Sequence, residues 1–442
     1  MNSDAGATSS EGIVTETAAE LVARAARLEK QGLDDQALRL IRLALQQPGL
    51  DNRTRQVAGE VSHLCGDLET AEQCWRRLCE IEPWEPRWPF RLATVAEERA
   101  DYRSACAILA SARERWPNHP LVELLRVRFG TLDETAKLTA AEASTLAANP
   151  RGNPYVALNA ARKLLSMGLT DVARTTLLRL SKLADDTEVA QAAKVELRSM
   201  EILEQADPAL LSKVPGELGV GNEAVFHRAE GSDTTLVVFS GLGGRVGPSV
   251  NVFHAIVAPL RVNAVYLYDA ERLSHLNGNG PLGRGYVAAI EALRRMLTAW
   301  QSRRLVCIGN SGGGYAALRY GMDLGAERVL GFSAPTILVE DFHMTYDRRA
   351  RAVVKRVNRH VPDMTVDLRG LLQTAAEPPQ VDLYFGSDMP QDRMHAERLS
   401  GLPGVALHPV DGVARHDVAG ALLLEGRLLP ILRDVCMSKA AS

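Results

Sequence analysis

This 442-residue chain lacks an excess of charge of either sign: 51 Lys and Arg stand against 54 Asp and Glu, for a formal net charge of −3. No global field therefore draws it to nucleic acid or to an anionic membrane. Aromatic residues are scarce, at 5%, and none interleave with the basic run near 348–359 as a nucleic-acid stacking surface would need. No window approaches the roughly 18 apolar residues of a membrane span. The six cysteines (Cys65, Cys74, Cys79, Cys106, Cys307, Cys436) include no metal- or redox-type pair. The nearest two, Cys74 and Cys79, miss the CxxC spacing. Scattered among apolar neighbours, they suit a reducing cytosol. The start, MNSDAGATSSEGIVTE, has neither a basic n-region nor an apolar h-region. The expectation is a cytoplasmic protein with a disordered segment over 1–14. What remains is ordinary globular material, 46% hydrophobic and 24% charged, long enough for two domains.

Residues 15–205 read as helix throughout, rich in Ala, Leu, Arg and Glu, with apolar residues at three- and four-residue steps, as in LVARAARL and ALRLIRLAL. A short segment recurs: GLDDQAL from Gly32, GDLETAE from Gly66, ADYRSAC from Ala100, GTLDETA from Gly130 and GLTDVAR from Gly168. The first two steps are 34 residues, the next two 30 and 38. A small residue keeps step inside each segment (Ala37, Ala71, Ala105, Ala136, Ala173), and Pro48, Pro83, Pro117 and Pro150 close four of the units. A small side chain lets paired helices approach, and proline ends the second helix because it cannot continue the hydrogen-bond ladder. This pattern resembles the tetratricopeptide repeat, which implies a surface for a protein partner.

The pattern changes at ADPALLSKVPGELGVGNE, which reads as a linker over 206–218. Short apolar runs then alternate with amphipathic stretches: TTLVVFSG, VNAVYLYD, RLVCIG, RVLGFSAP, VDLYFG and VALHPV. Near-continuous apolar strands separated by helices imply a mostly parallel sheet covered on both faces.

Within RLVCIGNSGGGYAALRYG a strand runs into Gly309-Asn310-Ser311-Gly312-Gly313, and a helix follows at once. This is the G-x-S-x-G pattern in the strand–turn–helix context that a nucleophile needs. The turn is so sharp that the residues two before and two after the serine must lack side chains. A phosphate-binding turn is the competing reading, but neither a P-loop lysine nor G-x-G-x-x-G is present here. The segment resembles the nucleophile elbow of α/β-hydrolases, and Ser311 is the expected nucleophile. The oxyanion would take one N–H from the residue after the serine, Gly312. TTLVVFSGLGGRVG (234–247) resembles the HG-x-x-G loop of that family, with Ser240 in place of the histidine. That resemblance implies a second N–H from Leu242.

The family orders its catalytic residues Ser, acid, His. Of the late histidines, His408 lies within the strand VALHPV, whereas His416 follows the last strand and precedes the final helices, as a general base requires. The acid should follow VDLYFG, where Asp388 and Asp392 both qualify. Asp392 also suits a plain helix N-cap. Pro390, Asp392, Arg393, His395, Ala396 and Leu399 resemble a P-x-D-R-x-H-A-x-x-L segment of bacterial hydrolase-like domains associated with surface polysaccharide, which favours Asp392. The stretch 337–378 lies where such domains insert a cap. Its basic run (Arg348, Arg349, Arg351, Lys355, Arg356, Arg359) reads more readily as a solvated cationic face than as an anion site.

The expected architecture is an N-terminal all-α tetratricopeptide-like solenoid (15–205) followed by an α/β-hydrolase fold (219–438). The expected activity is serine hydrolysis of an ester or thioester of a small molecule or glycan, with no cofactor or metal, no nucleic acid and no membrane span. The alternative is a non-catalytic adaptor, as in bacterial surface-polysaccharide biosynthesis, that uses the hydrolase-like fold as a binding module.

Overall fold

The computed structural model describes residues 16–437 except 118, 130–138, 150–151, 185–186, 208, 210–213, 215–217, 363 and 365–366. The expected disordered segment 1–14, the repeat segment from Gly130, Pro150 and most of 206–218 lie outside the described residues. The chain divides into two compact units, Met1–Trp88 and Pro89–Ser442.

The first unit holds the helices Ala18–Lys30, Asp34–Leu45, Asn52–Leu64 and Leu68–Ile81. Helix turns end at Gly32 and Gly66 with φ of 80° and 73°. The N–H groups of Leu33 and Asp67 reach back to the carbonyls of Leu28 and Ser62, at 2.9 and 2.8 Å. That bond across a left-handed residue satisfies carbonyls the ending helix would otherwise orphan. The small positions Ala37 and Ala71 are fully buried. A Cβ on Gly59 would meet Trp75 Nε1 at 2.8 Å, so this helix pair packs almost backbone to side chain.

The second unit continues the helical pattern from within Arg87–Glu98 through Tyr102–Arg115, Pro120–Phe129, Ala140–Ala148, Pro154–Ser166 and Thr170–Leu180 to Glu188–Gln205. The same helix ending recurs at Ala100 and Gly168: Asp101 N–H bonds Ala96 O at 2.8 Å and Leu169 N–H bonds Leu164 O at 2.9 Å. Ala100 adopts φ of 57° without glycine's freedom, which makes it the strained member of the series. Ala105 and Ala173 are fully buried, in step with the repeat.

The sheet of this unit is built from β1 (Ala224–His227), β2 (Thr234–Phe239), β3 (Asn263–Leu267), β6 (Arg304–Asn310), β7 (Arg328–Phe332), β8 (Gln380–Gly386) and β9 (Val405–Val410). A small hairpin, β4 (Gly278–Asn279) with β5 (Gly283–Arg284), stands apart. The strand order is β1-β3-β2-β6-β7-β8-β9, antiparallel only at β1. The six apolar runs are six of these strands. The seventh, β1 (AVFH), is a partly exposed edge strand of only four residues, which the sequence pattern does not single out. β2 and β3 are buried along their whole length.

Alternate residues feed two cores. Leu236, Val238, Ala264, Tyr266, Val306 and Ile308 face one helical layer. Val237, Phe239, Val265, Leu267, Leu305 and Cys307 face the other. Val195 of the helix Glu188–Gln205 joins the first of these cores. The chain is thus an N-terminal helical array followed by an α/β-hydrolase-type sheet with helices on both faces. No helix among the described residues is long and apolar enough to cross a membrane.

Candidate active site

Strand order reverses between β3-β2 and β6-β7, and the crevice at the carboxyl ends of these strands is where open parallel sheets bind ligands. Ser311 sits there, between β6 and the helix Gly312–Leu324, with φ of 55° and ψ of −127°. The flanking glycines explain how a serine is held in that conformation. A Cβ on Gly309 would lie 1.9 Å from Gly313 O, and one on Gly313 would lie 2.3 Å from Phe239 O. No side chain fits either place, so the sharp turn requires both glycines. Ser311 N–H is anchored to Phe332 O at 2.8 Å.

His416, after β9, places Nε2 2.8 Å from Ser311 Oγ. Its Nδ1 lies 2.9 and 2.8 Å from Asp392 Oδ1 and Oδ2. Asp392 belongs to the first turn of the helix Pro390–Glu397 and is 2% exposed. Asp388, at the exit of β8, is exposed and takes its hydrogen bond from the Ser387 hydroxyl at 3.0 Å. The four-residue step from one acid to the other decides which is buried: only Asp392 lies on the helix Pro390–Glu397. His408 is elsewhere, paired with Asp382 at 2.7 Å.

The loop after β2 passes directly beside the serine. A Cβ on Gly241 would be 3.6 Å from Ser311 Cβ. Gly241 N–H is committed to Arg245 O at 2.9 Å, which closes the loop on itself. Leu242 follows, with its side chain 38% exposed. Gly312 opens the helix behind Ser311, among the first N–H groups that an α-helix leaves unbonded. Ser274, in the loop after β3, also comes close to the start of this helix: its Oγ would be 3.7 Å from a Cβ on Gly312.

The 337–378 segment, between β7 and β8, supplies a residue that the sequence pattern assigns to a solvated face. Arg349 Nη2 donates to Asp392 Oδ1 at 2.8 Å, and the same guanidinium grips Asp347 through Nε and Nη2, each at 2.7 Å. Arg351 departs from that reading too, being only 5% exposed. Arg356 donates to Glu271 O at 2.8 Å. Burial works to raise the Asp392 carboxyl, but hydrogen bonding from His416 and Arg349 outweighs it and holds the group below its ordinary value. Asp347 is likewise held down, against burial, by Arg349 and His395. No periodicity marks Arg349, because its role depends on a helix 43 residues away in sequence.

His343, Asp347 and His395 bring metal-ligating atoms within 4.8 Å of one another. They do not fit a metal. Both oxygens of Asp347 carry the Arg349 guanidinium. Both ring nitrogens of His343 face backbone carbonyls, at 3.0 and 2.8 Å.

No protein-family model matches the chain, and no curated protein matches it in sequence. Among solved structures it is similar to the capsule O-acetyltransferase of Neisseria meningitidis serogroup A, with 14% identity and a TM-score of 0.36 over 48% of this chain and 90% of that one. It is also similar to an α/β-hydrolase from a lagoon-sediment metagenome, with 13% identity and a TM-score of 0.33 over 48% of this chain and 94% of that one. A TPR protein of Thermus thermophilus aligns at 19% identity and a TM-score of 0.30, over 41% of this chain and 99% of that one.

Proposed function

We propose that the chain is a serine hydrolase acting on an ester or thioester of a small molecule or glycan. The observation that carries this reading is the unbroken hydrogen-bonded path from Ser311 Oγ through His416 to buried Asp392. Ser311 Oγ attacks the acyl carbonyl as His416 Nε2 takes its proton. Asp392 holds the imidazole with Nδ1–H toward it and stabilises the imidazolium. The oxyanion lies toward the N–H groups of Gly312 and Leu242. His416 returns the proton to the leaving alcohol or thiol, and water then releases the acid from Ser311 by the same steps in reverse roles.

A non-catalytic adaptor would gain nothing from desolvating a carboxylate to orient a histidine on a strained serine, because an ion pair so buried is weak evidence for stability. The helical repeats remain the surface proposed for a protein partner. The test is labelling with a fluorophosphonate probe and a panel of p-nitrophenyl acyl esters. Wild type should label and hydrolyse. Ser311→Ala should do neither while keeping its circular dichroism spectrum. Labelling that persists in Ser311→Ala removes Ser311 as the nucleophile.

A further inference from the structure

Two loops wall Ser311, and both are tied to helices of the repeat region. The first is the loop after β2, which runs past Ser311 at Gly241. Its Arg245 donates through Nη2 to Glu196 Oε1 at 2.6 Å, and Arg162 Nε donates to the same oxygen at 2.7 Å. Glu196 lies on the helix Glu188–Gln205 and is 2% exposed. The backbone carbonyl of Arg245 is the one that receives Gly241 N–H. Fixing that arginine therefore fixes the residue beside the nucleophile.

The second loop, after β3, carries Ser274 toward Gly312. Its residues Arg272, Ser274 and His275 adopt φ of 56°, 52° and 60°, a left-handed conformation disfavoured for side-chain-bearing residues. Buried Asp269 holds the loop from inside, accepting Leu273 N–H at 2.6 Å and His275 N–H at 2.9 Å. From outside, Arg272 Nη2 donates to Glu97 Oε1 at 3.1 Å, and Tyr102 Oη donates to Ala270 O at 2.8 Å. Glu97 and Tyr102 both belong to repeat helices.

We propose that Glu196 and Glu97 are positioning residues of the acyl-transfer site, acting through Arg245 and Arg272 to hold the two loops that flank Ser311. The inference rests on the serine-hydrolase reading for its catalytic consequence but not for its structural one. Glycine-rich and strained loops are drawn from the least stable part of a fold and drift unless tied down. Two separate helices send one buried carboxylate each to two separate loops of one site, an arrangement that joining the halves alone would not require. Burial opposes the charge on Glu196, and the two guanidinium groups outweigh it, so the carboxylate is held ionised. The helical region is in this account part of the catalytic scaffold.

The experiment uses the full chain and two readouts. Hydrogen exchange of peptides spanning 240–247 and 269–277 needs no substrate. Glu196→Gln should raise exchange in the first loop by about tenfold or more while the β6 and β7 peptides stay protected, and Glu97→Gln should do so in the second. The rate of fluorophosphonate labelling should fall by about tenfold to a hundredfold in Glu196→Gln, short of the ~10²–10³ that removal of one whole oxyanion donor costs. Arg245→Gln should give the same loss, and the double variant no more than the worse single one. Unchanged exchange in both loops, or additive losses in the double variant, overturns the proposal, even if the melting temperature drops. If Glu196→Gln does not fold, Glu97→Gln decides by the same measurements at its less buried pair. Wild type that fails to label while loop exchange responds as expected would reject the serine-hydrolase reading and leave the clamp standing.

Discussion

Replacing Asp392 by asparagine removes a charge without opening a hole, because the amide nearly matches the carboxylate in volume. The side chain is 2% exposed, so water cannot substitute for what is lost. The oxygens now 2.9 and 2.8 Å from His416 Nδ1 accept its proton and so keep Nε2 free, 2.8 Å from Ser311 Oγ. An amide can turn its N–H₂ toward Nδ1. The proton then moves to Nε2, which can no longer take one from serine. Arg349 loses one carboxylate but keeps Asp347, so the insert should stay in place. In a triad that acts as a unit this change lowers turnover by up to ~10⁴-fold, or about 5.4 kcal/mol at 1.36 kcal/mol per decade. Asp388→Asn alters an exposed side chain outside the hydrogen-bonded path and should leave turnover within about twofold. The assay is p-nitrophenyl ester hydrolysis alongside the fluorophosphonate labelling rate, with melting curves to establish folding. The reasoning is refuted if Asp392→Asn keeps near-normal rates and Asp388→Asn is the crippled one. If neither matters while Ser311→Ala is dead, His416 is oriented by something other than a carboxylate.

Gly313→Ala should be destabilising by more than about 4 kcal/mol, because its Cβ would be driven to 2.3 Å from Phe239 O; a melting temperature near wild type would contradict that close approach. The paired carboxyls of Asp347 and Asp392 both sit below their ordinary value, so the stability they contribute is present above about pH 3.9, the unfolded aspartate value, and is lost as pH falls below it toward the depressed folded values. Arg349→Gln removes their shared cation and should weaken that acid-side loss; melting temperatures followed from neutral into acid pH would show equal slopes if the pairing contributes nothing.

Most of the site was legible because its parts obey local rules. Gly309, Ser311 and Gly313 are dictated by one turn: a side chain at Gly309 is barred by Gly313 within five residues, and one at Gly313 by Phe239 at the end of β2. His416 and the two aspartates were found by position, since in a parallel sheet whatever follows a strand arrives at the same edge. That logic could not choose between Asp388 and Asp392, which follow the same strand. The resemblance to the P-x-D-R-x-H-A-x-x-L segment favours Asp392, and packing is what buries Asp392, on the helix Pro390–Glu397, beside His416. Arg349 was misread for the same reason: an arginine in a basic run looks solvated until the carboxylates it faces are known.

The sequence by itself determined the two periodicities. The 34-residue step of the repeats appears as the helix endings at Gly32, Gly66, Ala100 and Gly168. The six apolar runs appear as six parallel strands of one sheet. Both follow from backbone and side-chain geometry that neighbouring residues impose on one another. Tertiary structure alone decided where compaction divides the chain, at Trp88 and Pro89, and which charges meet inside it. An amphipathic pattern states which face of the helix Glu188–Gln205 is buried but not what buries it. Ion pairs such as Glu196 with Arg245, and Arg349 with Asp392, join residues 49 and 43 positions apart. Such pairs exist only once the layers have closed, because only then does desolvation make the charges seek each other.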